Sequence, residues 1–110
     1  MRKFKFQTAN GEYTVTLKEN GRRAKTGQKL TDYQLIAPDG TVVFSGDDLG
    51  CSPMNNTELK GNAIALLGFL TLKPGDTDDD YFKDYTPAQL AWCESTAAED
   101  LRCIVDDREN

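Results

Sequence analysis

Residues suited to chemistry concentrate in one stretch, Gly75 to Pro87 (GDTDDDYFKDYTP), where five aspartates fall within nine residues beside Tyr81, Phe82 and Tyr85. Carboxylates at this density can ligate a cation, start a helix or capture a basic partner. A calcium loop of the EF-hand kind needs oxygen ligands at positions 1, 3, 5 and 9, glycine at 6 and a bidentate glutamate at 12. Counted from Asp76, the four ligand positions are Asp76, Asp78, Asp80 and Asp84, but position 6 is Tyr81 and position 12 is Pro87. Without the turn-making glycine and the closing glutamate, neither a metal site nor a cofactor is expected. The simplest role is a helix start, with Asp76 or Thr77 as cap and Asp78, Asp79 and Asp80 in the first turn, where the macrodipole favours negative charge. Each such exposed charge contributes about 0.3–1 kcal/mol, and neighbouring aspartates repel, so helix stability does not call for all three.

That excess points to a binding surface. Asp76, Asp78, Asp79, Asp80 and Asp84, extended by Asp47 and Asp48, face a basic partner, with Tyr81 and Tyr85 as anchors and Phe82 turned into the core. Aromatic anchors ringed by polar groups are a common form of interface hot spot. A row of carboxylates also imitates the phosphate spacing of a nucleic-acid backbone.

Catalytic chemistry has little to draw on. The chain has no histidine, which removes histidine-based triads and histidine metal sites. Cys51 precedes a helix, where a thiol pKa falls, but with no imidazole base an idle thiol is the expected reading. Cys51, Cys93 and Cys103 are an odd, scattered set without a C-x-x-C pair, as in proteins that keep reduced thiols in a cytoplasm. No phosphate-binding glycine motif occurs. An enzyme is not expected.

The competing site is basic. Arg22, Arg23, Lys25 and Lys29 lie in ENGRRAKTGQK and can contact phosphates. Residues 1–30 carry a balance of +6 and residues 31–110 one of −11, within a net charge of −5. Such asymmetry steers association with charged partners, while the acidic total opposes non-specific nucleic-acid binding.

The elements that position these groups are legible from turn chemistry and periodicity. In KFKFQTANGEYTVTLK, Asn10-Gly11 suits a type I′ turn, which pairs Phe6 with Val15, Phe4 with Leu17 and Thr8 with Tyr13 on one buried face. Lys5, Gln7, Thr14 and Thr16 share the wet face. ENGRRAKTGQK has no periodicity and reads as a mobile loop. Pro38-Asp39-Gly40 closes a second hairpin of three-residue form, pairing Ile36 with Val42 and Leu35 with Val43; apolar residues on both of its faces place it centrally or under cover on both sides.

Helical spacing then begins at Leu59, Ala63, Leu66, Leu67 and Leu70, with Asn55 and Glu58 as a capping box and Lys73 to Gly75 as the exit. A short helical segment follows over Asp78 to Asp84. Thr86, Pro87 and Gln89 open another helix that aligns Leu90, Cys93 and Ala97. Residues 99–106 fit either a continued helix or, by the alternation of Leu101, Cys103 and Val105, a closing strand, which is preferred; folded back as a strand, that segment brings Cys103 towards Cys93.

Strands first and helices afterwards make a single α+β domain over residues 1–110: an antiparallel sheet of four or five strands with two or three helices packed on one face. No apolar run approaches the roughly 18 residues of a membrane span, and the N-terminus lacks a signal-peptide apolar region, so a cytoplasmic location is expected.

Ala65 to Trp92, with its LTLKPGDTD helix exit and YTPAQLAW capped helix, resembles a segment of short bacteriophage and mobile-element proteins to which no function is attached. The resemblance implies a mobile-element origin, and by analogy an inhibitor of a host defence protein of the anti-CRISPR or anti-restriction type, acting in the host cytoplasm. The expected function is therefore a non-enzymatic protein-binding module whose partner is a host protein with a basic surface. The alternatives are a nucleic-acid binder using the basic loop and a structural protein; oligomeric state is left open.

Overall fold

The computed structural model describes residues 2–50, 56–75 and 79–109. Strands β1 (Arg2–Thr8), β2 (Gly11–Arg23), β3 (Lys29–Ile36) and β4 (Val42–Gly50) come first; α1 (Asn56–Leu70), a short 3-10 helix (Asp79–Phe82), α2 (Pro87–Cys93) and α3 (Thr96–Glu109) follow. The strands form an antiparallel meander in the order β1-β2-β3-β4, each joined to the next by a local turn, the connection that sequence adjacency favours. The helices cover one face of the sheet, where Phe6, Val15 and Leu35 meet Leu66, Leu67 and Leu101. This is the α+β architecture that the order of elements implies.

The first hairpin keeps its expected face and changes its register. Thr8 pairs with Gly11, Phe6 with Tyr13 and Phe4 with Val15, two residues away from the type I′ pairing. Among the described residues no non-glycine has positive φ, so Asn10 does not adopt the left-handed conformation that a type I′ turn demands. The Thr8 hydroxyl closes the turn instead, donating to the Gly11 carbonyl at 2.8 Å and accepting the Asn10 N–H at 3.1 Å. Residues of α3 hold it from outside: Asp100 Oδ2 accepts the Ala9 N–H at 2.9 Å, and Asn10 Nδ2 donates to Thr96 Oγ1 at 2.7 Å. A slip of two residues returns every side chain to its original face, so Phe6, Tyr13, Val15 and Leu17 are still buried. Gly11 is required twice over: its φ is +116°, and a Cβ there would lie 2.7 Å from Pro38 Cγ.

Glu19 to Lys29, expected as a mobile loop, is a third hairpin. β2 runs on to Arg23, which pairs with Lys29, and the turn is closed by Ala24 N to Gln28 O and Gly27 N to Ala24 O, both at 2.9 Å. Order here comes from a polar knot. Asn20 Nδ2 donates to Asp32 Oδ1 at 2.9 Å and to the Asp47 carbonyl at 3.0 Å, while its Oδ1 accepts the Arg22 N–H at 2.9 Å. One amide thereby ties β2, β3 and β4 together where the β2–β3 register shifts.

The Pro38–Gly40 turn forms as its residues dictate. Ala37 N donates to Thr41 O at 2.8 Å, and Gly40 has φ +90°. Ile36 pairs with Val42 as expected, but a bulge next to it pairs Leu35 with Phe44 instead of Val43, delivering Phe44 to the core. β3 is interior to the sheet; β4 is an edge, and its Val42 stays exposed.

In α1, Ala63, Leu66, Leu67 and Leu70 are buried at the expected spacing. The proposed Asn55 capping box and the Asp76 or Thr77 cap lie outside the described residues, as does Cys51. α2 is capped as its sequence specifies: Gln89 N donates to Thr86 Oγ1 at 3.1 Å and Thr86 N to Gln89 Oε1 at 3.0 Å. The helix then stops, so Cys93 and Ala97, expected on one helix, belong to two. Ser95 starts α3, its Oγ accepting Ala98 N at 3.2 Å and its carbonyl accepting Glu99 N at 3.2 Å.

The preferred closing strand is thus corrected to a helix. Ala97, Ala98 and Leu101 are buried, with Ile104 and Val105 half-buried behind them, a helical spacing that outweighs the Leu101-Cys103-Val105 alternation once α1 supplies a surface to pack on. Cys103 is exposed and Cys93 buried, and neither is in a disulfide. Arg102 locks the helical layer: Nε donates to the Thr71 carbonyl beyond α1, Nη2 to the Cys93 carbonyl ending α2, and Nη1 to Glu99 Oε2 at 2.6 Å.

Candidate functional site

The surface that brings exposed aromatic and acidic groups together lies between the edge strand β4 and the end of α1. Phe69 faces away from the buried stripe of α1 and is 58 % exposed. The 3-10 helix sets Tyr81 beside it, and the Tyr81 hydroxyl donates to the Phe69 carbonyl at 2.6 Å. Phe82 is buried, its ring 5.1 Å from that of Tyr81 and 5.3 Å from that of Tyr85. Tyr85 packs against Phe44 at 5.2 Å, Phe44 against Trp92 at 5.6 Å, and Trp92 against Tyr13 at 5.9 Å. Trp92 Nε1 also donates to the Tyr13 hydroxyl at 3.1 Å. A continuous run of edge-on and tilted rings, the geometry aromatic quadrupoles prefer, therefore backs the exposed Tyr81 from the surface to the core.

Between these elements runs an open groove of about 410 Å³, walled by Phe69, Tyr81, Tyr85, Leu49 and Leu66, with Asp84 the charged residue lining it among the described residues. Gln89 fixes one wall, donating from Nε2 to the Val43 carbonyl at 3.0 Å, so that α2 is pinned to the sheet edge by the same side chain that caps it. Burial pushes the Tyr85 phenol well above its ordinary value, with the neighbouring Tyr81 adding to the rise, and burial likewise raises Tyr81. Both hydroxyls stay neutral at physiological pH.

The sequence-derived acidic site divides. Tyr81, Asp84 and Tyr85 line the groove together, and Asp80 is exposed one residue before Tyr81. Asp76 and Asp78 lie outside the described residues, as do the side chains of Asp79 and Asp48. Tyr85, expected as a free anchor, is half-buried against Phe44. Asp47 does not extend the patch: its carboxylate pairs with Arg22, and its carbonyl also accepts from that guanidinium at 3.3 Å. Phe69, Leu49 and the second role of Gln89 were not foreseen. A readable signal existed for Phe69, an aromatic just off the buried Ala63, Leu66, Leu67 and Leu70 stripe of α1; none existed for Leu49.

The basic alternative is largely committed to internal bonds. Arg22 is held by Asp47, Arg23 Nη1 donates to the Gly27 carbonyl at 2.9 Å, and Lys29 lies 3.9 Å from Glu19. Lys25 is exposed at the hairpin tip. Phe6 and Tyr13 are buried, so the first hairpin presents no stacking platform for bases. The Cys93 thiol is buried, donates to the Leu70 carbonyl at 3.5 Å and has its pKa pushed up by burial; it has neither the access nor the ionisation of a nucleophile. Among the described residues no three acidic or thiol side chains gather to hold a metal ion, and no helix is long and apolar enough to cross a membrane.

No family model matches the sequence, and no curated protein and no solved structure matches it.

Proposed function

We propose that this protein is a non-enzymatic binding module that captures a basic surface of another protein by stoichiometric contact. The observation that carries this reading is the pairing of exposed Phe69 and Tyr81 with Asp84 at one open groove, with Asp80 exposed one residue before Tyr81, on a backing of interlocked rings. Rigid aromatic anchors contribute contact area at low entropic cost, and the carboxylates around them supply steering and selectivity. In its sharper form the partner is a nucleic-acid-binding host defence protein, and this chain is a phage-type inhibitor in the host cytoplasm whose carboxylates stand in for phosphates. The test is affinity capture from bacterial lysate with wild type and with Asp78, Asp79 and Asp80 all changed to Asn. One dominant protein, retained at low salt, released as salt rises through a Debye length of about 8 Å and lost with the triple variant, is the expected result. Equal retention by both baits at low salt overturns it.

Nucleic-acid binding through the basic hairpin is the competing reading. The internal pairing of Arg22, Arg23 and Lys29 weighs against it, and a mobility-shift assay with short RNA and DNA at low salt decides it: no shift disposes of that role.

A further inference from the structure

The groove has a composition that selects among basic ligands. Its walls are mainly ring and leucine side chains with Ser45 and Gln89 among them, and among the described residues its charge is the carboxylate of Asp84. Asp84 is exposed and makes no ion pair among the described residues. An apolar occupant would cover that carboxylate without pairing it, which costs desolvation energy. A lysine head would pair with it, but the compact, strongly hydrated ammonium gains little from aromatic walls. A guanidinium does both: it stacks on aromatic faces and gives a carboxylate two parallel hydrogen bonds. The volume of about 410 Å³ is near the lower end of ligand clefts, roughly 300–1,000 Å³, which suits one long side chain and its neighbours and not a folded element.

Resting on the binding-module reading, we infer that the groove is an arginine pocket: an arginine side chain of the partner protein lies along Phe69 and Tyr81 with its guanidinium on the Asp84 carboxylate. A second copy of this chain is a poorer occupant, because Arg22, Arg23 and Arg102 already hold internal bonds, which leaves exposed Arg2 on β1 as the described arginine it could offer. The geometry of Tyr81 is pre-set by its bond to the Phe69 carbonyl, so an arginine meets rings already in place.

The experiment is a ¹H–¹⁵N NMR titration of the whole chain with four acetylated, amidated tripeptides, Ala-X-Ala, in which X is arginine, lysine, citrulline or norleucine. The expected result is saturable shifts at Phe69, Tyr81, Asp84 and Tyr85, with arginine binding at least fivefold more tightly than lysine and no binding by citrulline. D84N and F69A should each weaken arginine binding at least fivefold in proteins whose dispersed spectra show an intact fold. Equal affinity for arginine and lysine, with shifts spread to Asp100 and Asp106, overturns the proposal in favour of diffuse charge. Norleucine occupying the groove as well as arginine overturns it in favour of an apolar anchor, and groove shifts that change on dilution without peptide do so in favour of a second copy. Lysate capture that is lost with the triple-Asn variant while these peptides show no arginine preference leaves the binding module standing and removes the arginine pocket alone.

Discussion

Arg102 is where the helical layer is most exposed to a single change. Its guanidinium reaches carbonyls at the ends of two helices, Thr71 and Cys93, and its side chain is only 19 % exposed. Hydrogen bonds from a charged donor contribute about 1.5–3 kcal/mol each, and carbonyls at helix C-termini carry the negative end of the dipole. The third contact, to the mostly exposed carboxylate of Glu99, adds no more than about 0.5 kcal/mol. Truncation to alanine lets water reach part of the site, so the loss is expected near the lower bound for two bonds, about 3 kcal/mol. A domain of this size holds about 5–15 kcal/mol in all, so R102A should fold with a much lower urea midpoint, by roughly 1–3 M for a slope of about 1–3 kcal/mol/M. R102K places one ammonium where three nitrogens worked and should recover about half the loss. E99Q should shift the midpoint hardly at all. An R102A variant within about 0.5 kcal/mol of wild type, or full recovery by lysine, refutes the clamp.

Three further outcomes follow from particular contacts. A Cβ at Gly46 would lie 2.5 Å from the Tyr33 hydroxyl, so G46A should destabilise by about 1–3 kcal/mol, and adding Y33L should remove most of that increment in a double-mutant cycle; additive losses contradict it. Native protein treated with iodoacetamide at pH 8 should be alkylated at exposed Cys103 and not at buried Cys93 until unfolded; peptide mapping that finds both modified at one rate contradicts the burial. Tyr81 and Tyr85 are raised above the ordinary phenol value by burial, so the unfolded chain ionises first: the stabilising contribution is complete below about pH 10 and is lost as pH rises through the higher folded values. Tyrosinate absorbance should show Tyr81 and Tyr85 ionising only above the pH at which the unfolded chain does, and their ionisation at that pH with the fold intact contradicts the packing.

What the sequence made legible was whatever one short stretch determines by itself. Thr86, Pro87 and Gln89 specify a capped helix with no help from elsewhere, and Pro38-Asp39-Gly40 specifies its turn. The burial faces of the first hairpin were legible because alternation survives a slip of two residues; its register was not, because Thr96 and Asp100 of α3 reach back to hold Ala9 and Asn10. Asn20 ordered a segment that looked mobile through partners 12 and 27 residues away. α3 was misjudged because alternation and helical spacing coincide over a short run, and the α1 surface that decides between them is distant in sequence. The site followed the same rule. Tyr81, Asp84 and Tyr85 stood out locally, whereas Phe69 and Leu49 join them only through the packing of α1 and the 3-10 helix against β4.

The central claim, that this face and not the basic hairpin meets the partner, is tested most directly by capture with two matched baits. One carries F69S and D84N in the groove; the other carries R23S and K25S at the hairpin tip; circular dichroism establishes that both are folded. The account predicts that the hairpin bait retains the protein captured by wild type and the groove bait loses it. Retention by the groove bait with loss by the hairpin bait contradicts the account and moves the interface to the basic end of the sheet.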